Sequence, residues 1–254
     1  MLDVQFLGVP EVGPWLFSGL ALASFATTFL GIIVGTAGGL ALLAIMALFF
    51  PPAVLVPVHT VVMLGAGSSR VVIMWRHVLR GTLLPFLIGS AFGAAIGAGI
   101  FVSLPSGILQ LAIGGLVLLL TWLPRFALMG TEAKRFAAVG FGSTFLGVFV
   151  SATGTLVAPF VASASPSRHN HAATLAALMT IVHVMKLIAF GIAGVAFAAY
   201  APLMVAMIAA AALGNWAGFK ALDHVPERLF RIVFQLLVTA LALRLLWTGI
   251  EALA

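Results

Sequence analysis

Long uncharged runs dominate the pattern of apolar and polar positions. No residue carries a charge between Glu11 and His59, between Arg80 and Arg125, from Phe136 to Ser167, or from Leu187 to Phe219. Each run exceeds the roughly 20 residues that cross a bilayer as helix. Membrane strands are about 10 residues long and alternate polar with apolar positions, whereas these runs are apolar on every face, so the pattern predicts helices. The expected segments lie near 14–34 and 37–50, forming a broken hairpin, then 54–75, 81–101 and 106–124. A second set follows near 134–151 and 155–166, then 172–198, 201–220 and 227–250. The fold class is an all-α integral membrane protein of about 8–10 transmembrane segments, some entering without fully crossing.

Composition strengthens this reading. Of 254 residues, 63% are hydrophobic and 7% charged, more apolar surface than a water-soluble domain of this length could bury. The net charge of +6 comes from Lys and Arg strung singly along short loops. They form no stripe that would track nucleic acid, and they read as topology determinants. The absence of cysteine excludes disulfides, thiolate metal sites and dithiol relays. No cofactor, metal site or catalytic residue is expected. Acidic Asp3 and Glu11 stand where a signal peptide would be basic, so the first hydrophobic segment is expected to be retained.

The chain also repeats itself. A shift of 116 residues sets "TFLGIIVGTAGGL" at Thr28–Leu40 over "TFLGVFVSATGTL" at Thr144–Leu156, with seven of thirteen columns identical. A shift of 121 sets Gly93, Gly97 and Pro105 over Gly214, Gly218 and Pro226. Two blocks in the same order argue for a duplicated unit, 14–124 and 134–250. Corresponding loops reverse their charge bias. Arg70, Arg76, His77 and Arg80 match an uncharged "AFAAYAP", while the uncharged link at Ser103–Pro105 matches one that holds Lys220, Asp223, His224, Glu227, Arg228 and Arg231. Basic loops stay in the cytoplasm, so the two repeats are expected in inverted orientation, together forming one transport domain. Both ends then lie outside the cytoplasm.

The duplicated block contains Gly35, Thr36, Gly38 and Gly39 in one half and Ser151, Thr153, Gly154 and Thr155 in the other. Glycine weakens a helix by about 1 kcal/mol relative to alanine, and unpaired backbone groups in hydrocarbon are worse by several. Such breaks are expected at the midplane, where each following helix points free N–H groups and its positive dipole end at a ligand. The natural ligand is an anion. Close helix packing is the competing reading for glycine, and it suits Gly93, Gly97, Gly214 and Gly218. In the second break hydroxyls replace glycines while polarity is kept, which favours ligand contact.

The order of these features, with a basic "WRHVLRG" after the third segment and "LGNWAGFKALDHVPERLFRIVFQLLVTALALRLL" near the end, resembles the TauE/SafE family. The resemblance covers nearly the whole chain, from about Leu16 to Ile250. It implies a bacterial inner-membrane, multi-pass exporter of sulfite or a small organosulfonate such as sulfoacetate. It carries the family's glycines onto Gly35, Gly38, Gly39 and Gly154, and its helix-start threonines onto Thr60 and Thr174. The breaks read "GTAGG" and "SATGT" rather than a strict triple glycine, a departure that bears on the substrate more than on the class.

Lys186 stands near the middle of the apolar stretch 171–200, where an ionisable group is functional by default. His183 lies three residues earlier on the same helical face, and the two are expected to form a cationic wall for the substrate. Arg70 is expected to snorkel to the interface, His59 to be a satisfied interfacial histidine, and Asn215 to bond either a neighbouring helix or the substrate. No acidic residue falls at membrane depth, which argues against a carboxylate proton relay. The expected partners are a small anionic substrate and the bilayer; a homo-oligomer is left open. Two other functions fit less of the pattern. One is a passive anion channel, and the other an intramembrane serine protease built on Ser68 with His183 as base.

Overall fold

Inside a bilayer every backbone N–H and C=O must be paired within the protein, and the apolar runs meet that demand as helices. The computed structural model describes residues 5–34, 37–122, 132–150, 153–221, 236, 239–240, 242–244 and 246–253. Nine helices are delimited there: α1 (Pro14–Val34), α2 (Ala37–Met46), α3 (Pro52–Met74), α4 (Leu83–Ser103), α5 (Ser106–Trp122), α6 (Glu132–Val150), α7 (Gly154–Ala164), α8 (Arg168–Ile192) and α9 (Ala201–Ala221). The described residues near the C-terminus are also helical, from Leu236 to Glu251. Only an isolated bridge between Phe6 and Val9 departs from the all-α pattern among the described residues. Among the described residues, five stretches, centred on α1, α3, α4, α8 and α9, are long and apolar enough to cross a membrane, which makes this a multi-pass membrane protein.

α2 and α7, of 10 and 11 residues, reach about 15 Å, half the hydrocarbon thickness. Each folds back along its predecessor. A side chain on Gly38 would collide with the carbonyl of Thr27, and would lie 3.0 Å from the Gly31 Cα. A continuous helix would separate residues 27 and 38 by about 16 Å. In the second half, Val157 and Val161 of α7 join Phe136 and Val139 from the start of α6, with Leu178 and Val182 of α8, in one buried cluster. Both interrupted pairs are therefore helical hairpins. Of the first break, residues 35 and 36 lie outside the described residues; of the second, 151 and 152.

The helices of the two halves pack reciprocally. α4 lies chiefly against α6, and its counterpart α9 against α1. At Gly93 an added side chain would strike the Phe141 carbonyl and come 3.0 Å from the Phe145 N. At Gly214 it would strike the Phe25 carbonyl and come 3.1 Å from the Phe29 N. Phe141 and Phe145 stack at 6.1 Å, as do Phe25 and Phe29 at 6.2 Å. These glycines thus have the packing role expected of them. α3 crosses α8 in the centre. α5 runs antiparallel to the C-terminal helix, with Trp122 Nε1 donating to Thr239 Oγ1 at 3.0 Å and Gly107 against Leu253.

Several boundaries differ from the expected ones. α2 stops at Met46 rather than 50 and passes into a turn, with Leu48 N bonded to Ile45 O at 3.2 Å and Phe49 N to Met46 O at 3.0 Å, before α3 starts on Pro52. α8 begins earlier, capped by the Ser167 hydroxyl, which accepts from Asn170 N. It ends at Ile192, not 198, in a Schellman turn: Gly194 has φ +73°, its N–H bonds Gly191 O at 3.1 Å, and Val195 N bonds Phe190 O at 3.0 Å.

Candidate functional site

The crossing of α3 and α8 carries the basic residues buried in the core. His59 and Lys186 are fully buried and His183 nearly so. The three lie within Coulombic range of one another. His59 Nε2 donates to the Gly39 carbonyl at 2.9 Å, which ties α3 to the first turn of α2. A carbonyl only accepts, so Nε2 carries the proton and Nδ1 of the neutral ring is a bare acceptor. On the other side, the vacant face of Gly147 on α6 looks toward Thr153 Oγ1, Val182 and the Lys186 Cδ; a Cβ there would lie 3.3, 3.5 and 3.7 Å from them. Thr153 is the residue before α7. A threonine in that place usually caps the helix with its hydroxyl, and here it does not.

Buried polar atoms without a partner collect around this point. His59 Nδ1, Thr144 Oγ1, Thr153 Oγ1 and His183 Nδ1 all lack one. Thr144 precedes Gly147 by three residues and shares its helical face. Each such atom costs about 1–3 kcal/mol if left unpaired, so a concentration of them marks a place where something polar binds. An ammonium, two threonine hydroxyls, two imidazoles and the free N–H groups opening α7 can together surround a small oxyanion.

Not all the expected site residues meet here. Lys186, His183, Thr153, Gly154 and Gly39 do. Gly38 is filled by α1, so its small size serves packing. Thr60 is buried beside His59 and donates to Val56 O at 2.7 Å. Thr174 is twelve residues, about 18 Å, from Lys186. Its hydroxyl accepts from Leu79 N at 2.9 Å and holds the loop after α3, so it stands outside the cluster. Gly35, Thr36 and Ser151 lie outside the described residues. Thr155 falls in the first turn of α7.

Three expectations are corrected. His59 is not interfacial; its hydrogen bond to Gly39 places it in the central cluster. Arg70 does not snorkel: Nη2 donates to Asn215 Oδ1 at 2.7 Å, and Asn215 Nδ2 to Ala66 O at 3.0 Å, a clamp between α3 and α9. The dyad of a protease is not formed, since the Ser68 hydroxyl donates to Leu64 O at 2.7 Å and His183 Nδ1 has no partner. Thr144, which sequence reasoning passed over, stands in the repeated "TFLG" block. Its counterpart Thr28 bonds Ser24 O at 2.7 Å; Thr144 has no such bond, and that asymmetry was not legible from the duplication.

Long apolar helices around paired half-length hairpins, converging on a buried polar cluster, define a multi-pass membrane transport protein. The chain belongs to the sulfite exporter TauE/SafE family, whose model, described as Sulfite exporter TauE/SafE, matches residues 20–245. No curated protein and no solved structure gives a significant match.

Proposed function

We propose that this protein exports a small sulfur oxyanion, sulfite or an organosulfonate such as sulfoacetate, from the bacterial cytoplasm across the inner membrane. The carrying observation is the buried Lys186 at the meeting point of His59, His183 and Thr153, where unpartnered polar atoms gather. Lys186 supplies the balancing charge, and the Thr153 and Thr144 hydroxyls and the opening N–H groups of α7 supply hydrogen bonds to oxyanion oxygens. Gly35, Thr36, Ser151 and Thr155 belong by sequence to the same two blocks, and Gly39 is held by His59.

In this reading the two repeats are inverted in the membrane, and rocking of one against the other exposes the site alternately to each side. The reciprocal contacts of Gly93 and Gly214 support the repeat, and the gathering of Trp75–Arg80 with Arg168–His171 supports a cytoplasmic placement of that end. There Asn170 Nδ2 bonds His77 O at 2.8 Å. Export of an anion from a negative-inside cell is downhill by about 2.3 kcal/mol per charge per 100 mV, so no coupling ion is required.

Purified protein in nanodiscs is expected to bind sulfite or sulfoacetate saturably in excess chloride, and proteoliposomes to show efflux stimulated by the same anion on the opposite side. Absence of binding for both compounds, or flux indifferent to the opposite side, would overturn the reading.

A further inference from the structure

A pocket of about 260 Å³ opens at the other end of the bundle from the Trp75–Arg80 loop. Its walls are the turn that joins α2 to α3, including Phe50 and Pro51, with Gln110 from the start of α5 and Arg244 and Thr248 from the C-terminal helix. Arg244 and Thr248 are four residues apart and share a helical face. Helix runs on to Glu251, so Arg244 stands about 10 Å inside that end. Its side chain is exposed, so the guanidinium is open to water or to a ligand that enters the pocket.

Among the described residues, no carboxylate lines the pocket. The carboxylate of Glu251 instead accepts from Trp247 Nε1 at 2.7 Å. Gln110 Oε1 is buried without a partner, and its amide can present either a donor or an acceptor to the pocket. The pocket lies toward the α2–α3 end of α3, the helix that also carries His59. His59 lies seven residues along α3 from Pro52, about 10 Å deeper, so a small anion leaving the central cluster toward this end passes the α2–α3 turn.

We propose that Arg244, Gln110 and Thr248 form a second binding site for a small oxyanion, a release-side station distinct from the cluster at Lys186. Its role in release rests on the anion-export reading; the site itself does not. Anionic phospholipid headgroups share this chemistry, and the test separates the two sources.

Sulfite is titrated calorimetrically into wild type, Arg244→Gln, Arg244→Lys and Lys186→Met, each in lipid-free detergent and in phosphatidylglycerol nanodiscs, with thermal unfolding checking that each variant folds. Two sites are expected in wild type. Arg244→Gln should weaken one of them about tenfold or more, Arg244→Lys should weaken it less, and Lys186→Met should remove the other. Two unaltered sites in Arg244→Gln, or a single wild-type site that this variant keeps, overturns the proposal. A single site lost in Arg244→Gln and kept in Lys186→Met supports the second site while refuting the central one. A second site seen only without phospholipid assigns the pocket to a headgroup and overturns the oxyanion station. Should Arg244→Gln fail to fold, Thr248→Val, expected to weaken the same site about threefold, decides in its place.

Discussion

Replacing Thr153 by valine separates a binding role from a structural one by sign. The two side chains have nearly the same shape, and Thr153 is 1% exposed, so valine fills the same space and removes only the hydroxyl. Loss of a capping threonine ordinarily costs about 1 kcal/mol, but this hydroxyl caps nothing and has no partner. In the unliganded protein valine therefore relieves an unsatisfied buried group, and stability should hold or rise by up to about 1 kcal/mol. A hydrogen bond from that hydroxyl to a bound anion is worth about 1.5–3 kcal/mol, so affinity for sulfite should fall roughly 10- to 150-fold. Thermal unfolding of the unliganded variant and calorimetric titration in nanodiscs measure the two quantities. A variant that loses stability while keeping its affinity would refute the reasoning, for it would show the hydroxyl holding the α6–α7 turn rather than the substrate.

Lys186→Met should reduce oxyanion affinity by about 2–4 kcal/mol, roughly 30- to 1000-fold, since a charge pair at about 4 Å is worth about 4 kcal/mol at an effective dielectric of 20 before desolvation is subtracted; unchanged affinity in folded protein removes Lys186 from the site. His59→Leu should lower thermal stability by about 1 kcal/mol through the lost bond to Gly39 O, and the opening turn of α2 should exchange amide hydrogens faster. Gly93→Ala and Gly214→Ala should each destabilise by about 1–3 kcal/mol, because both place a methyl on a backbone carbonyl of the facing helix. Gly99→Ala, with open space around it, should be neutral or slightly stabilising, and equal losses at all three positions in thermal melts would show that helix contact is not the cause.

The uncharged runs by themselves determined that this chain is a helical membrane protein, because hydrocarbon leaves its backbone groups no partner outside the segment. The duplicated block located both helix interruptions, since glycine and hydroxyl residues repeated in order within apolar sequence mark where helix gives way. Lys186 and His183 were legible too: burying an ammonium is so unfavourable that its mere presence in an apolar run is a signal. Local rules could also have placed the ends of α8, since Ser167 precedes its first turn and Gly194 supplies the left-handed C-cap; the apolar run simply outlasted the helix.

Tertiary structure alone decided what these residues touch. His59 follows Pro57 near a helix start and looks interfacial, yet the folding back of α2 brings the Gly39 carbonyl to it and buries it beside Lys186. Gly38 and Thr174 belong to the right motifs but are taken up by α1 and by the loop at Leu79. Arg70 is held by Asn215, 145 residues away in the chain. Periodicity and composition report on each segment's own preference for lipid or water, whereas a binding cluster depends on which segments fold back and which faces then meet, a choice made only when the two halves pack against each other.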